Sequence, residues 1–301
     1  MANTPWAQIL LFSIQTGSVY LLSAVALTLT YGLSKFPNFA HAEFMTLGAY
    51  TGFFIANLLH LPLPLTVLVC ILCAFLVSGS LGLMSYKIIF GPLLRRGSSL
   101  IHLMIASMAL GFIIRYVIIE IWPGGTQSFT LSWPAASNAG PFRIYIPWIL
   151  PIVAALVAGV SMQLLLTRTN IGRAIRATAS NPQLAMASGI NTGRVLLTTW
   201  FLSAGLAGMA GLFIGMKASF SPTMGWNILL SVFAVTVLGG IGSFYGAIAA
   251  AFIIGLAENV GVVILAQFGL ASDYRTAISF VILIVVLLIK PEGLTRLFKG
   301  N

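Results

Sequence analysis

Long apolar runs follow one another along the chain with only short polar breaks, at residues 8–33, 42–59, 62–86, 99–121, 146–166, 195–216, 227–239, 243–268 and 274–290. A bilayer's hydrocarbon core takes roughly 20 residues of helix to cross. Within it every backbone N–H and C=O must be satisfied internally, so only helices and closed barrels can span it. A barrel would show alternating segments of about ten residues, whereas these runs are continuous and about twice that length. The pattern predicts an all-α polytopic membrane protein, a bundle of about 8–9 transmembrane segments. Composition agrees, with 59% of 301 residues hydrophobic and 7% charged. The run 227–239 is short for a full span and stops at a GGIGS turn, so a broken or re-entrant helix is expected there. The first run is too long, and lacks the basic flank, for a cleaved signal peptide.

Fifteen Lys and Arg against five acids give a net charge of +10. The bases cluster in the breaks: Lys87, Arg95 and Arg96; Arg168, Arg173, Arg176 and Arg194; Lys290, Arg296 and Lys299. This is the distribution the positive-inside rule describes, so these regions are expected in the cytoplasm and no nucleic-acid partner is implied. The loop 122–145 then lies outside, and counting back through three crossings puts the N-terminus outside too. Trp122, Trp133, Tyr145, Trp148 and Trp226 fall at the outer boundaries, where aromatic side chains favour the headgroup layer. No stretch is polar enough for a soluble domain, so residues 1–301 read as a single membrane domain.

Enzymatic chemistry has little to stand on. His41, His60 and His102 lie far apart, and neither HExxH nor Gly-x-Ser-x-Gly occurs. There is no phosphate-cradling G-x-x-x-x-G-K-[ST] loop, and GGIGSFYG lacks dinucleotide-loop spacing. Cys70 and Cys73 sit in an apolar run without a second pair and read as packing residues. No metal and no cofactor are expected. Transport remains, and ionisable groups in hydrocarbon mark its candidate route or gate: Glu43, Arg115, Glu258 and Asn259. A structural role competes, in which Arg115 pairs with one of the glutamates and holds helices in register. Stripes of small residues at spacing four, Ala207-Gly211-Gly215, Gly242-Gly246-Ala250 and Ala247-Ala251-Gly255, predict close helix packing.

The stretch TRTNIGRAIRATASNPQLAMASGIN (167–191) is polar and basic between two apolar runs. If helix continues past Gly172, Arg173 and Arg176 share a face. Asn181 suits an N-cap, Pro182 the first helical position and Gly189 a C-terminal stop. A short helix across the cytoplasmic end of the bundle is expected. Its Leu184 and Met186 suit a lipid interface, and its small apolar knob suits a groove on a partner.

At these residues the chain resembles the permease subunits of bacterial ABC importers. QLAMASG (183–189) is similar to a relaxed EAA-x-x-x-G coupling loop, keeping Ala185 and Gly189 but with Gln183 and Leu184 for the Glu and first Ala. NFAHAEFMTLGAY (38–50), NIGRAIRATASNPQLAMASGIN (170–191), LGGIGSFYGAIAAAF (238–252) and the PEGL tail (291–294) together resemble the LivH-type permeases of branched-chain amino-acid importers, over essentially the whole chain. The resemblance implies a multi-pass protein of the bacterial inner (plasma) membrane. Its implied partners are a second, homologous permease, two cytoplasmic ATPase subunits and a periplasmic substrate-binding protein. Through it, Ala185 and Gly189 are expected to contact an ATPase, with Arg173, Arg176, Asn181 and Pro182 shaping that coupling element. Related scaffolds carry urea, amides or sugars, so the substrate is open at this point. A secondary transporter using Glu43 and Glu258, a passive channel and an assembly subunit are the rival readings.

Overall fold

The computed structural model describes residues 6–59, 61–123, 125–139, 142–240, 242–269 and 274–289. Each of the nine apolar runs forms a helix: α1 (Trp6–Ser34), α2 (His41–Leu58), α3 (Leu63–Ser85), α5 (Leu100–Ile121), α6 (Ile146–Arg168), α9 (Thr192–Lys217), α10 (Met224–Gly239), α11 (Phe244–Gln267) and α12 (Arg275–Ile289). A π-helical turn (Tyr86–Phe90) carries α3 into α4 (Gly91–Arg95), and α7 (Asn170–Ser180) and α8 (Pro182–Ala187) form the polar element between α6 and α9. Among the described residues, six helical stretches are long and apolar enough to cross a bilayer. Helices α2, α10 and α12 have 18, 16 and 15 residues, less than or at the margin of a full crossing. The PEGL tail, with Lys290, Arg296 and Lys299, lies outside the described residues.

Helices α1, α2 and α9 form the buried centre, wrapped by the others, which turn apolar faces outward. Small residues set how close the centre packs. A Cβ on Gly211 would run into the Met45 carbonyl, and one on Gly48 into the backbone of Gly208, so α2 and α9 cross backbone to backbone. At the α7–α8 end, Trp200 stacks on Phe90 (4.8 Å between centroids) with Tyr86 and Phe36 around it, and the Trp200 indole N–H donates to Ser34 (3.1 Å). The widened π turn brings both Tyr86 and Phe90 onto that indole.

Three helices begin within the bundle's depth. After α1, the chain turns back through the buried residues Phe36, Asn38 and Ala40, and His41 at the start of α2 contacts Ser23, midway along α1 (Nε2 to Oγ, 3.0 Å). The Phe39 N–H donates to Ser107 in mid-α5 (3.1 Å), so non-helical backbone here is satisfied by protein, one of the settings in which hydrocarbon depth tolerates it. α10 starts level with Thr46 of α2, whose hydroxyl accepts from the Gly225 N–H (3.2 Å). α12 starts beside the start of α10, where the Thr276 hydroxyl reaches the Asn227 carbonyl (3.5 Å), and the Arg275 side chain extends from there to Asn259 of α11 (2.9 Å). The expected broken helix at 227–239 is thus one of a set.

The loop 122–145 holds a short hairpin, β1 (Ser137–Ala139) paired antiparallel with β2 (Phe142–Ile144), and Gln127 bridges to Phe220. Gln8 bonds both backbone groups of Arg143, so the start of α1 and this loop share one end of the bundle, opposite α7 and α8.

Candidate translocation site

Two polar clusters lie inside the bundle, with a cleft beside them. In the first, Arg115 of α5 donates from Nε to Glu43 Oε1 of α2 (3.0 Å), and its Nη2 donates to the same oxygen. Glu43 is 1% exposed and Arg115 12%. The guanidinium carbon stands 5.1 Å from the Trp226 ring centroid and 5.6 Å from Phe112, so two π faces share its charge. The predicted ion pair of Arg115 with a glutamate is present, and it joins α2 to α5 with α10 alongside.

In the second cluster, Glu258 of α11 is fully buried and accepts from three hydroxyls: Tyr20 of α1 (2.6 Å), Ser231 of α10 (2.7 Å) and Ser279 of α12. One carboxylate thereby ties four helices. Asn259 beside it donates to Thr16 (3.1 Å) and to the Gly255 carbonyl (2.7 Å), and accepts from Arg275 Nη2 (2.9 Å). Glu43 and Glu258 therefore sit in separate clusters, each held in place by other helices.

Between α10 and α12 a cleft of about 730 Å³ opens, lined by Phe39, Trp226, Asn227, Phe233, Arg275 and Thr276 among others. Trp226 connects it to the Arg115 pair, and Arg275 connects it to Asn259. The sequence reading did not single out Arg275, which stands near the start of the apolar run 274–290. An arginine at the start of a run too short to span was the signal available. Tyr20, Ser231 and Ser279 gave none, since single hydroxyls in apolar helices are common.

The α7–α8 element has the caps expected, with two differences. Asn181 Oδ1 accepts from the Leu184 N–H (3.0 Å), Pro182 opens α8, and Gly189 has φ +81°. Gly189 N–H bonds the Met186 carbonyl and Ile190 N–H that of Ala185, both at 3.0 Å, closing α8 with a Schellman motif. The helix does not, however, run on from the bundle: α6 ends at Arg168, and Thr169 caps a new helix by accepting from Gly172 (3.0 Å). Arg173 and Arg176 still share an exposed face of α7, with Arg173 donating to Asn170. The second difference concerns Ala185, expected at a partner's surface. It is 3% exposed and faces the bundle, because the apolar side of so short a helix must cover the helix ends beneath it. Leu184 (64%) and Met186 (55%) are what α8 presents outward.

A buried helical centre, helices interrupted at membrane depth and polar clusters beside those interruptions define a polytopic membrane transport protein. Residues 9–287 match the family described as branched-chain amino acid transport system / permease component, and the chain belongs to that family. It is 32% identical to the probable branched-chain amino acid transport permease protein LivH of Methanocaldococcus jannaschii, over 92% of this chain and 89% of that one. It is 28% identical to the high-affinity branched-chain amino acid transport system permease protein BraD of Pseudomonas aeruginosa, over 96% and 95%. It is 30% identical to LivH of Escherichia coli K12, over 92% and 91%. The solved structure described as PsaBC from Streptococcus pneumoniae in complex with Fab aligns at a TM-score of 0.48 and 15% identity, over 96% of this chain and 94% of that one.

Proposed function

We propose that this chain is the transmembrane permease subunit of an ATP-driven importer for branched-chain amino acids, residing in the inner (plasma) membrane of a bacterium. The family match over residues 9–287 carries the reading. The chain acts with a second, homologous permease, two cytoplasmic ATPase subunits and a periplasmic binding protein. The 167–194 element faces the cytoplasm and the 122–145 loop the periplasm. ATP binding closes the ATPase pair, shifts α8, and rocks the bundle from inward-facing to outward-facing. Leu184 and Met186 enter an apolar groove on the ATPase, Asn181, Pro182 and Gly189 hold α8 in shape, and Arg173 and Arg176 flank the contact. Two observations favour this over a gradient-driven carrier on Glu43 and Glu258. Glu43 is paired with Arg115 and Glu258 is held by three hydroxyls, so both carboxylates have structural work already.

Leu184→Glu with Met186→Glu, in the complex reconstituted in proteoliposomes, should abolish ATP-dependent leucine uptake and release the ATPase subunits while the permease stays inserted. Unimpaired uptake would remove the coupling role. Leucine uptake by the purified chain alone would remove the ATP-driven reading.

A further inference from the structure

An arginine on an open face at membrane depth is costly unless it meets water, a polar partner or an anion. Arg275 meets one polar partner among the described residues: a single Nη2–H is used by Asn259, leaving the rest of a five-donor fork at the cleft between α10 and α12. Thr276 and Asn227 add a hydroxyl and an amide to the same cleft, and the Thr276 hydroxyl reaches the Asn227 carbonyl (3.5 Å). The remaining wall is apolar and aromatic, including Phe39 and Phe233, whose rings lie 5.5 Å apart. Both helices that border the cleft begin there, so their N-terminal dipole ends add to the positive field. A volume of about 730 Å³ has room for a small amphiphile and several waters.

We propose that this cleft is the waypoint for the amino acid inside the membrane: Arg275 takes its α-carboxylate, the Asn227 side-chain oxygen its ammonium, and the Phe39–Phe233 wall its branched side chain. The assignment rests on the importer reading. The planar fork suits a carboxylate, and among the described residues lining the cleft Arg275 is the charged one against an otherwise mostly apolar wall, which suits one carboxylate on a hydrophobic residue better than a sugar or urea. The site is weak by construction, since a waypoint that held its ligand tightly would stall transport. Phe39 belongs to the turn before α2 and Arg275 to the start of α12, so relative movement of those interrupted helices opens or closes the wall.

The test uses the complete importer in proteoliposomes, with radiolabelled leucine and the binding protein outside, reading uptake and ATP hydrolysis together. Arg275→Gln should lower leucine moved per ATP about ten-fold, the loss of one charge-assisted contact, with binding-protein-stimulated hydrolysis retained. Arg275→Lys should fall between the two, keeping charge but not the fork. Asn227→Leu alters only an exposed cleft residue and should lower uptake per ATP severalfold; it decides the matter should Arg275→Gln fail to assemble. Wild-type uptake per ATP in Arg275→Gln, or in Asn227→Leu when that variant stands alone, overturns the waypoint while leaving the importer intact. Absence of ATP-dependent leucine uptake by the unaltered complex instead overturns the importer reading itself.

Discussion

Arg115 and Glu43 are the clearest case of a charge the bundle retains by pairing it. Breaking a buried pair leaves one charge without compensation, at about 3–5 kcal/mol, whereas replacing both partners by neutral groups is far less costly. Arg115→Met should therefore lower the unfolding temperature in detergent markedly, and adding Glu43→Gln should recover much of the loss. A double variant no more stable than Arg115→Met would show that the pair does not hold α2 to α5. Both residues were visible in the sequence as ionisable groups in apolar runs. Their partnership was one of several open readings, because they are 72 positions apart and nothing local chooses Glu43 over Glu258. Arg275 shows the converse: its charge was in plain sight, but only the fold reveals that the helix it opens starts beside the start of α10 and that its side chain reaches Asn259.

At the scale of elements, the α8 caps were readable since Asn-Pro at the start and Gly at the end act through their own backbone within a few residues. The break at Thr169 was not, because a polar stretch can continue a helix or restart one with similar local energies. Close crossings are readable only as a tendency. The stripe Ala207-Gly211-Gly215 announced tight packing, yet the partner of Gly211 is the Met45 carbonyl on α2, which the spacing does not name. Gly211→Val should force α2 and α9 apart and lower the unfolding temperature by an amount equivalent to about 1–3 kcal/mol, the usual range for overpacking. Gly159→Ala on α6, with open space around its Cα, is the matched control and should leave stability unchanged or slightly raised. Equal effects at the two sites would contradict the close crossing.

For the whole molecule, the positive-inside argument and the arrangement of ends agree on which segments lie together, and the sidedness can be measured directly. A cysteine at Met186 should react with a membrane-impermeant maleimide only from the cytoplasmic side, and one at Thr130 only from the periplasmic side, in a background with Cys70 and Cys73 replaced. Labelling of position 186 from outside would overturn both topology and coupling. The nine apolar runs, the helical class and the basic element between two of the runs could be read from the chain alone, because the bilayer imposes length and hydrophobicity on each segment separately. Which helices lie at the centre, that α2, α10 and α12 start within the bundle, and that Arg275 and Asn227 come to share one cleft were decided by the tertiary structure. Those features arise from contacts between residues far apart in sequence, where backbone approach and buried hydrogen bonds select one packing among many that the same apolar runs would permit.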